Sequence, residues 1–206
     1  MRVKVKFCGM MRREDLLAAA ELGVDAVGLV FVPGTPRHLD PSRARELLRG
    51  LPPLLAKVGV FADEDPVRVR RIREDLGLTA VQLHGSEGPG HCAAVGGPLI
   101  KTFRVTPDWD PSALDSYECE ACLLEAPVPG KPGGGGVPFA WGKVRGGVPG
   151  KRIILAGGLT PQNVEKAIRT VKPYAVDVSS GIEASPGIKD RERMAAFLEA
   201  VRRAEG

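Results

Sequence analysis

The sequence predicts a single α/β domain over residues 1–206, in which eight parallel β-strands alternate with helices and close into a (β/α)8 barrel. The first observation is that short β-rich runs alternate with helical patterns along the chain. The second is their number, because eight runs share 206 residues, about 26 residues for each strand and its helix. The third is that no linker divides the chain. Such alternation implies parallel strands with right-handed crossovers, and eight units can close into a barrel.

The strand candidates span residues 3–7, 26–31, 56–60, 80–83, 99–103, 121–124, 152–155 and 175–178. Three helix starts are predicted where an N-cap residue precedes a first-turn proline, at Asp40-Pro41, Asp65-Pro66 and Thr160-Pro161. Apolar residues recur with the helical period behind these starts and in the last helix. They are Ala44, Leu47, Leu48 and Leu51; Val69, Ile72 and Leu76; Val164, Ala167, Ile168 and Val171; and Met194, Phe197, Leu198 and Val201.

An open, doubly wound sheet is the alternative α/β fold. That fold normally carries a G-x-G-x-x-G motif after its first strand. Here the first strand is followed by Cys8-Gly9-Met10-Met11, which does not match, so the barrel is favoured. The glycine-rich residues 128–136 are interpreted as a loop after the sixth strand.

Composition excludes several classes of protein. Hydrophobic residues make 43% and charged residues 26% of the chain, which is typical of a globular protein. No run approaches the roughly 18 apolar residues of a membrane span, and the N-terminus lacks a signal-peptide core, so we expect a cytoplasmic protein without a membrane partner. A net charge of +4 favours an anionic small molecule over nucleic acid. Cys119-x-x-Cys122 has no second cysteine or histidine pair at suitable spacing, so no metal site is expected.

In such a barrel, chemistry is located where the carboxyl ends of the strands meet. On the first strand, Val3, Val5 and Phe7 suit packing against helices, which directs Lys6 and Cys8 inward. A thiol beside a cation has a lowered pKa, so Cys8 is a candidate base or nucleophile. The alternative is that Cys8 is a small buried hydrophobic residue.

The sixth strand runs into Glu125, which is either a catalytic acid or a salt-bridge partner for Lys6. Gly157 and Gly158 follow the seventh strand, and Ser180-Gly181 follows the eighth. A phosphate cradle forms where the backbone amides of glycines meet hydroxyl groups and a helix N-terminus. Barrels often place such a cradle at these two loops. We therefore expect phosphate binding there, although the glycines could serve only tight turns.

Four further polar residues near strand ends are candidates for substrate binding. Gln82 and His84 share one side of the fourth strand, where His84 either contacts a ligand or is a hydrogen-bonded rim residue. Arg37 either binds a carboxylate through two donors or is solvated. Asp177 points inward and either binds ribose hydroxyls or neutralises a lysine.

The chain resembles the phosphoribosylanthranilate isomerase family of tryptophan biosynthesis, whose members are TIM barrels. The resemblance extends almost from end to end and depends on several motifs in the same order. They are Lys6-Phe7-Cys8-Gly9, Gly28-Leu29-Val30-Phe31 with Thr35-Pro36-Arg37, Val58-Gly59-Val60-Phe61, Val81-Gln82-Leu83-His84-Gly85, the glycines 133–136 before Phe139-Ala140-Trp141, Leu155-Ala156-Gly157-Gly158-Leu159, and residues 176–181.

The resemblance implies an Amadori rearrangement of N-(5-phosphoribosyl)anthranilate without a cofactor. It implies that Cys8 is the general base and Glu125 the general acid. Phosphate is expected on Gly158, Ser180 and Gly181, while Arg37 faces the anthranilate end. The family occurs as monomers and homodimers, so either state is expected for a protein whose partner is a small sugar phosphate.

The sequence departs from the family pattern near the sixth strand. The family usually has Asp at the position of Glu125, Gly-Gly-Thr-Gly at 133–136 and Phe-Asp-Trp at 139–141. Glutamate is one methylene longer, so the placement of the acid is the part of the resemblance most open to change.

Two alternative functions remain at this level. The histidine-pathway isomerase performs the same rearrangement on a substrate with two phosphates, but the loops at 62–64 and 85–87 are acidic and lack a second phosphate cradle. The other alternative is a barrel that binds a sugar phosphate without catalysis. The presence of both Cys8 and Glu125 argues against it.

Overall fold

The structure, a computed structural model, describes residues 2–126 and 141–206. Eight parallel strands pair in sequence order, and β1 pairs with β8 to close the barrel. The closure excludes the open sheet. The strands are β1 (Lys4–Phe7), β2 (Ala26–Val30), β3 (Ala56–Phe61), β4 (Ala80–Leu83), β5 (Leu99–Arg104), β6 (Ala121–Glu125), β7 (Ile153–Leu155) and β8 (Ala175–Val178).

Six α-helices are seen among the described residues: α1 (Arg13–Leu22), α2 (Pro41–Leu48), α3 (Pro66–Leu76), α4 (Pro89–Val95), α5 (Val164–Val171) and α6 (Arg191–Glu205). Short 3-10 turns occur at Pro111–Leu114, Trp141–Val144 and Ser180–Ile182. A small antiparallel hairpin, β9 (Glu183–Ser185) with β10 (Ile188–Lys189), lies between β8 and α6.

The predicted strands are confirmed, and each observed end lies within one residue of the predicted end. The helix starts at Asp40-Pro41 and Asp65-Pro66 are also confirmed, and the Asp65 carboxylate accepts from two backbone amides of α3. The prediction that a helix begins at Thr160-Pro161 is wrong, because α5 begins at Val164. The Asn163 side chain accepts from the Thr160 amide and donates to the Gly158 carbonyl, which holds the intervening residues in a turn.

The β9–β10 hairpin was not predicted, because its strands have three and two residues and no periodic pattern. The glycine-rich loop predicted at 128–136, with Phe139 and Ala140 of the family motif, lies outside the described residues.

The predicted apolar helix stripes are buried and pack against the outer face of the barrel. A second, smaller apolar cluster contains Ile100, Leu123 and Ile154 and fills the barrel interior. Inward positions nearer the carboxyl ends are polar: Thr102 follows Ile100 on β5, and Glu125 follows Leu123 on β6. This change of polarity along single strands places the site at the carboxyl end of the barrel.

Candidate active site

A cavity of about 450 Å³ opens at the carboxyl ends of the strands. Its wall includes Cys8, Arg37, His84, Glu125, Gly158 and Ser180. A wider groove of about 620 Å³ lies on the outer surface beside α5, and none of the strand-end candidates lines it. All the sequence-predicted site residues except Lys6 and Gly181 line the smaller cavity, towards which the parallel strands point.

Lys6 and Asp177 form a buried ion pair beside Cys8, as the inward direction of these residues predicts. The Lys6 ammonium donates to Asp177 at 2.8 Å and to Gln82 at 2.9 Å. Burial lowers the pKa of Lys6, but the nearby Asp177 and Cys8 outweigh burial and raise the pKa above its ordinary value. Lys6 is paired with Asp177, and the possible Lys6–Glu125 salt bridge is not formed.

The expectation of a lowered pKa for Cys8 is wrong. Burial raises the pKa of the thiol above its ordinary value; Lys6 lowers it and Asp177 raises it. The physical reason is that Asp177 neutralises most of the field of Lys6, so burial is not compensated. In the free protein Cys8 is therefore mainly a thiol.

Gln82 and His84 form a hydrogen-bonded chain from Lys6 towards Glu125. Because the Lys6 ammonium only donates, the Gln82 oxygen accepts and its amide nitrogen faces His84 Nδ1 at 3.0 Å. The Nδ1 atom is then an acceptor, so a neutral His84 carries its proton on Nε2. Nε2 lies 3.2 Å from Glu125 Oε1. His84 is thus a hydrogen-bonded rim residue that also lines the cavity.

The carboxyl of Glu125 lies at the end of β6 with only 4% of the residue exposed. Besides the His84 contact, Oε1 is 3.9 Å from Arg104 Nε. Neither contact has the geometry of a hydrogen bond, and Oε1 has no hydrogen-bond partner among the described residues. Glu125 therefore lines the cavity, and its Oε1 atom is a buried acceptor without a hydrogen bond.

The loops after β7 and β8 meet at one side of the cavity. Gly157 and Gly158 have φ angles of +81° and +67°, a region that strongly favours glycine. Their amides donate no backbone hydrogen bond to any described residue. A Cβ atom on Gly181 would lie 1.9 Å from the Leu159 carbonyl oxygen. Gly181 does not line the cavity; its missing side chain allows the two loops to approach.

Arg37 lines the cavity near Ser179 of the loop after β8, and it forms two hydrogen bonds with Glu183, from Nε at 2.8 Å and from Nη2 at 2.6 Å. Glu183 also accepts from the buried ammonium of Lys189 at 2.9 Å. The alternative of a solvated Arg37 is therefore wrong, since the side chain is 19% exposed and paired.

Sequence analysis missed four polar residues around the cavity: Thr102, Arg104, Glu183 and Lys189. Thr102 and Arg104 follow Ile100 at alternate positions, so strand parity was a signal that could have identified them. Glu183 and Lys189 lie on β9 and β10, where no local signal pointed inward. Cys119 and Cys122 have sulfur atoms 3.7 Å apart outside the cavity, and no metal-ligating cluster occurs in residues 2–126 and 141–206.

Comparisons with known proteins agree along nearly the full chain. The family model described as N-(5'phosphoribosyl)anthranilate (PRA) isomerase matches residues 5–200. A relative from Thiobacillus denitrificans named N-(5'-phosphoribosyl)anthranilate isomerase is 46% identical over 200 residues, covering 96% of this chain and 97% of the relative.

Two solved structures extend this similarity to the fold. The phosphoribosyl anthranilate isomerase of Thermus thermophilus has a TM-score of 0.86 at 38% identity, covering 98% of this chain and 99% of the other. A phosphoribosyl anthranilate isomerase in complex with reduced 1-(o-carboxyphenylamino)-1-deoxyribulose 5-phosphate has a TM-score of 0.82 at 34% identity, with the same coverage.

Proposed function

The chain belongs to the N-(5'-phosphoribosyl)anthranilate isomerase family, and from this premise we propose that Cys8 and Glu125 are the general base and general acid of its reaction. The protein is an isomerase of tryptophan biosynthesis. It converts N-(5-phosphoribosyl)anthranilate to 1-(2-carboxyphenylamino)-1-deoxyribulose 5-phosphate. The residue roles below are the proposal.

The rearrangement requires two proton transfers on opposite sides of the sugar. An acid protonates the ring oxygen, the C1–O bond breaks, and the nitrogen lone pair forms a C1=N iminium. A base then removes the proton from C2, and the electron pair of that C–H bond forms the C1=C2 bond of an enolamine, which tautomerises to the ketone. The base gains one proton and the acid loses one, so both must be restored before the next turnover.

Glu125 suits the role of the acid because of its place in the cavity. Glu125 lines the cavity, so its carboxyl can reach a ring oxygen held there. Its Oε1 atom is buried beside His84 and Arg104 and has no hydrogen-bond partner among the described residues. His84 Nε2, at 3.2 Å, supports the carboxylate that remains after proton transfer. The extra methylene of glutamate relative to the usual aspartate is compatible with a carboxyl that stays on the cavity wall.

Cys8 suits the role of the base because it lies on the same cavity, at the end of β1. Lys6 and Lys189 both lower its pKa, although burial outweighs them in the free protein. The reactive form is thus the minor thiolate, which is an intrinsically strong base and nucleophile.

Substrate-binding residues are proposed at both ends of the sugar. Backbone amides of Gly157 and Gly158, with Ser180 and the loop approach allowed by Gly181, hold the phosphate. Arg37 binds the anthranilate carboxylate. Lys6, hydrogen-bonded to Asp177 and Gln82, is proposed to hold these polar side chains in place between the two binding sites. Anchoring both ends orients the sugar between acid and base.

The substrate is a small molecule, and residues of one chain form the cavity wall. We therefore propose catalysis by a monomer or a homodimer, in the cytoplasm and without nucleic acid. No helix of the described residues is long and apolar enough to cross a membrane.

The observation that carries the proposal is that Cys8 and Glu125, 117 positions apart in the chain, line one cavity. The test follows the loss of fluorescence of freshly made phosphoribosylanthranilate with wild type and Cys8→Ser. We expect Cys8→Ser to lower kcat by a factor of about a hundred to ten thousand.

Cys119→Ser is the matched control, because Cys119 lies outside the cavity, and it should behave as wild type. Exchange of the C2 proton of the substrate with solvent should vanish in Cys8→Ser and persist in Cys119→Ser. Full turnover by Cys8→Ser would assign the base to another residue.

A further inference from the structure

We propose that Glu183 and Lys189 are positioning residues for Arg37: Glu183 fixes the orientation of its guanidinium, and Lys189 offsets the charge of Glu183 so that Arg37 can bind the aromatic carboxylate of the substrate. The inference rests on the proposed role of Arg37. It concerns residues of the β9–β10 hairpin, which carries neither the proposed acid nor the proposed base.

The first step is the geometry of the Arg37–Glu183 pair. Two parallel hydrogen bonds of 2.8 and 2.6 Å hold one edge of the guanidinium plane. Nη1 donates to no side chain or backbone among the described residues, while Arg37 lines the cavity. Glu183 therefore leaves the other edge of the plane for a second carboxylate, in a fixed orientation.

Glu183 is itself held rigidly. It is 6% exposed, and its Oε1 atom also accepts from the Gly187 amide at 3.2 Å. The hairpin backbone is tied to α6, where the Arg193 side chain donates to the Glu183 carbonyl. Such a supported carboxylate can act as a template for Arg37.

The second step is the charge of the cluster. An isolated Arg37–Glu183 pair is neutral and would attract a substrate carboxylate weakly, because Glu183 repels it. Lys189 donates to Glu183 at 2.9 Å, and its side chain has no exposed surface. Two positive groups and one negative group leave a net charge of +1, and only Arg37 among them can present it to the cavity.

No other carboxylate forms an ion pair with Arg37 or Lys189 among the described residues. Arg193 pairs with Asp190 at 3.6 Å. Asp15 accepts from the backbone amide of Lys189 at 3.2 Å and forms no ion pair with Lys189 or Arg37. Lys189 also donates to the Ser179 carbonyl at 3.1 Å, which ties the cluster to the loop proposed to hold phosphate.

The experiment measures discrimination between two probes by calorimetry. One is reduced 1-(2-carboxyphenylamino)-1-deoxyribulose 5-phosphate, and the other is the same compound without the ring carboxylate. Their Kd ratio reports the carboxylate contact alone. We expect wild type to favour the carboxylated probe at least about tenfold.

Lys189→Gln keeps hydrogen-bond donors and removes the charge. It should reduce the ratio about tenfold while the affinity for the probe without the carboxylate changes less than about threefold. The double variant Glu183→Gln with Lys189→Gln restores the net charge of +1 on Arg37, and the glutamine oxygen still accepts one hydrogen bond from Arg37, so the variant should recover part of the ratio. A purely structural role predicts no recovery, because the double variant removes more contacts. In the single variant Glu183 keeps its ion pair with Arg37, so no buried carboxylate of the cluster is left unpaired.

Lys151→Gln is the matched control, because Lys151 pairs with Asp115 away from the cavity and the change should leave both affinities unaltered. A wild-type ratio near one would overturn the proposed role of Arg37. A wild-type preference that persists in Lys189→Gln, or a double variant that fails to recover, would overturn this inference alone.

Discussion

The two halves of the barrel interior contain side chains from the same strands and serve different purposes. On β6, Leu123 belongs to the apolar cluster, and Glu125, two residues later, lies on the cavity wall. On β8, Ala175 and Asp177 differ in the same way. Only depth along the barrel separates the members of each pair, because residues two apart on a strand point the same way.

The difference separates residues that stabilise the fold from residues proposed to act in catalysis. The apolar half removes hydrocarbon from water, which stabilises the fold. The polar half buries Lys6, Gln82, Glu125 and Asp177 and requires each to find partners. Lys6 and Asp177 find one another, whereas Glu125 Oε1 has no hydrogen bond within the described residues. Glu125, whose Oε1 atom lacks such a bond, is the residue proposed to act as the acid.

The largest expected effect is on the polar half. Glu125→Gln preserves shape and removes the transferable proton, so kcat should fall about a thousandfold while the reduced product analogue still binds. The fluorescence assay measures kcat, and calorimetry measures binding. Glu125→Asp, which restores the usual family residue, is the control and should retain substantial activity. Normal turnover by Glu125→Gln would place the acid elsewhere.

The apolar half should show the opposite result. Leu123→Ala leaves a cavity inside the barrel and should lower the free energy of unfolding by about 2–5 kcal/mol. Below the unfolding transition, kcat should stay within about threefold of wild type, because no cavity-lining group has changed. Urea titration measures the first quantity. Leu123→Met, which conserves volume, should cost less than about 1.5 kcal/mol. A large loss of kcat in folded Leu123→Ala would break the comparison.

The smallest effect concerns the protonation of Cys8. Because burial raises the pKa of this thiol above its ordinary value of 9.0, the thiolate population should rise about tenfold per pH unit between pH 7 and 9. The rate of alkylation of Cys8 by iodoacetamide, followed by peptide mass spectrometry, should rise accordingly without levelling. Alkylation reports Cys8 directly, whereas activity depends on both groups proposed to transfer protons. A plateau below pH 8 would show that Lys6 and Lys189 outweigh burial.

Sequence reasoning predicted the positions of strand residues correctly where local rules apply. Alternation along strands directed Lys6, Gln82 and Asp177 inward, and strand ends placed Cys8 and Glu125 on one rim. It failed at Thr160, where a side chain three residues ahead caps the turn instead of starting the helix. It also assigned Cys8 a lowered pKa, because the sequence shows Lys6 nearby and does not show what neutralises it.

The sequence alone determined which side chains face the interior and which polar residues stand at the carboxyl ends of strands, because both follow from a two-residue period and parallel strands. Only the tertiary structure decided which charges meet. Lys6 pairs with Asp177 across 171 positions, and Arg37 pairs with Glu183 across 146. Electrostatic energy depends on distances of a few ångströms and on burial, and neither is encoded by spacing in the chain.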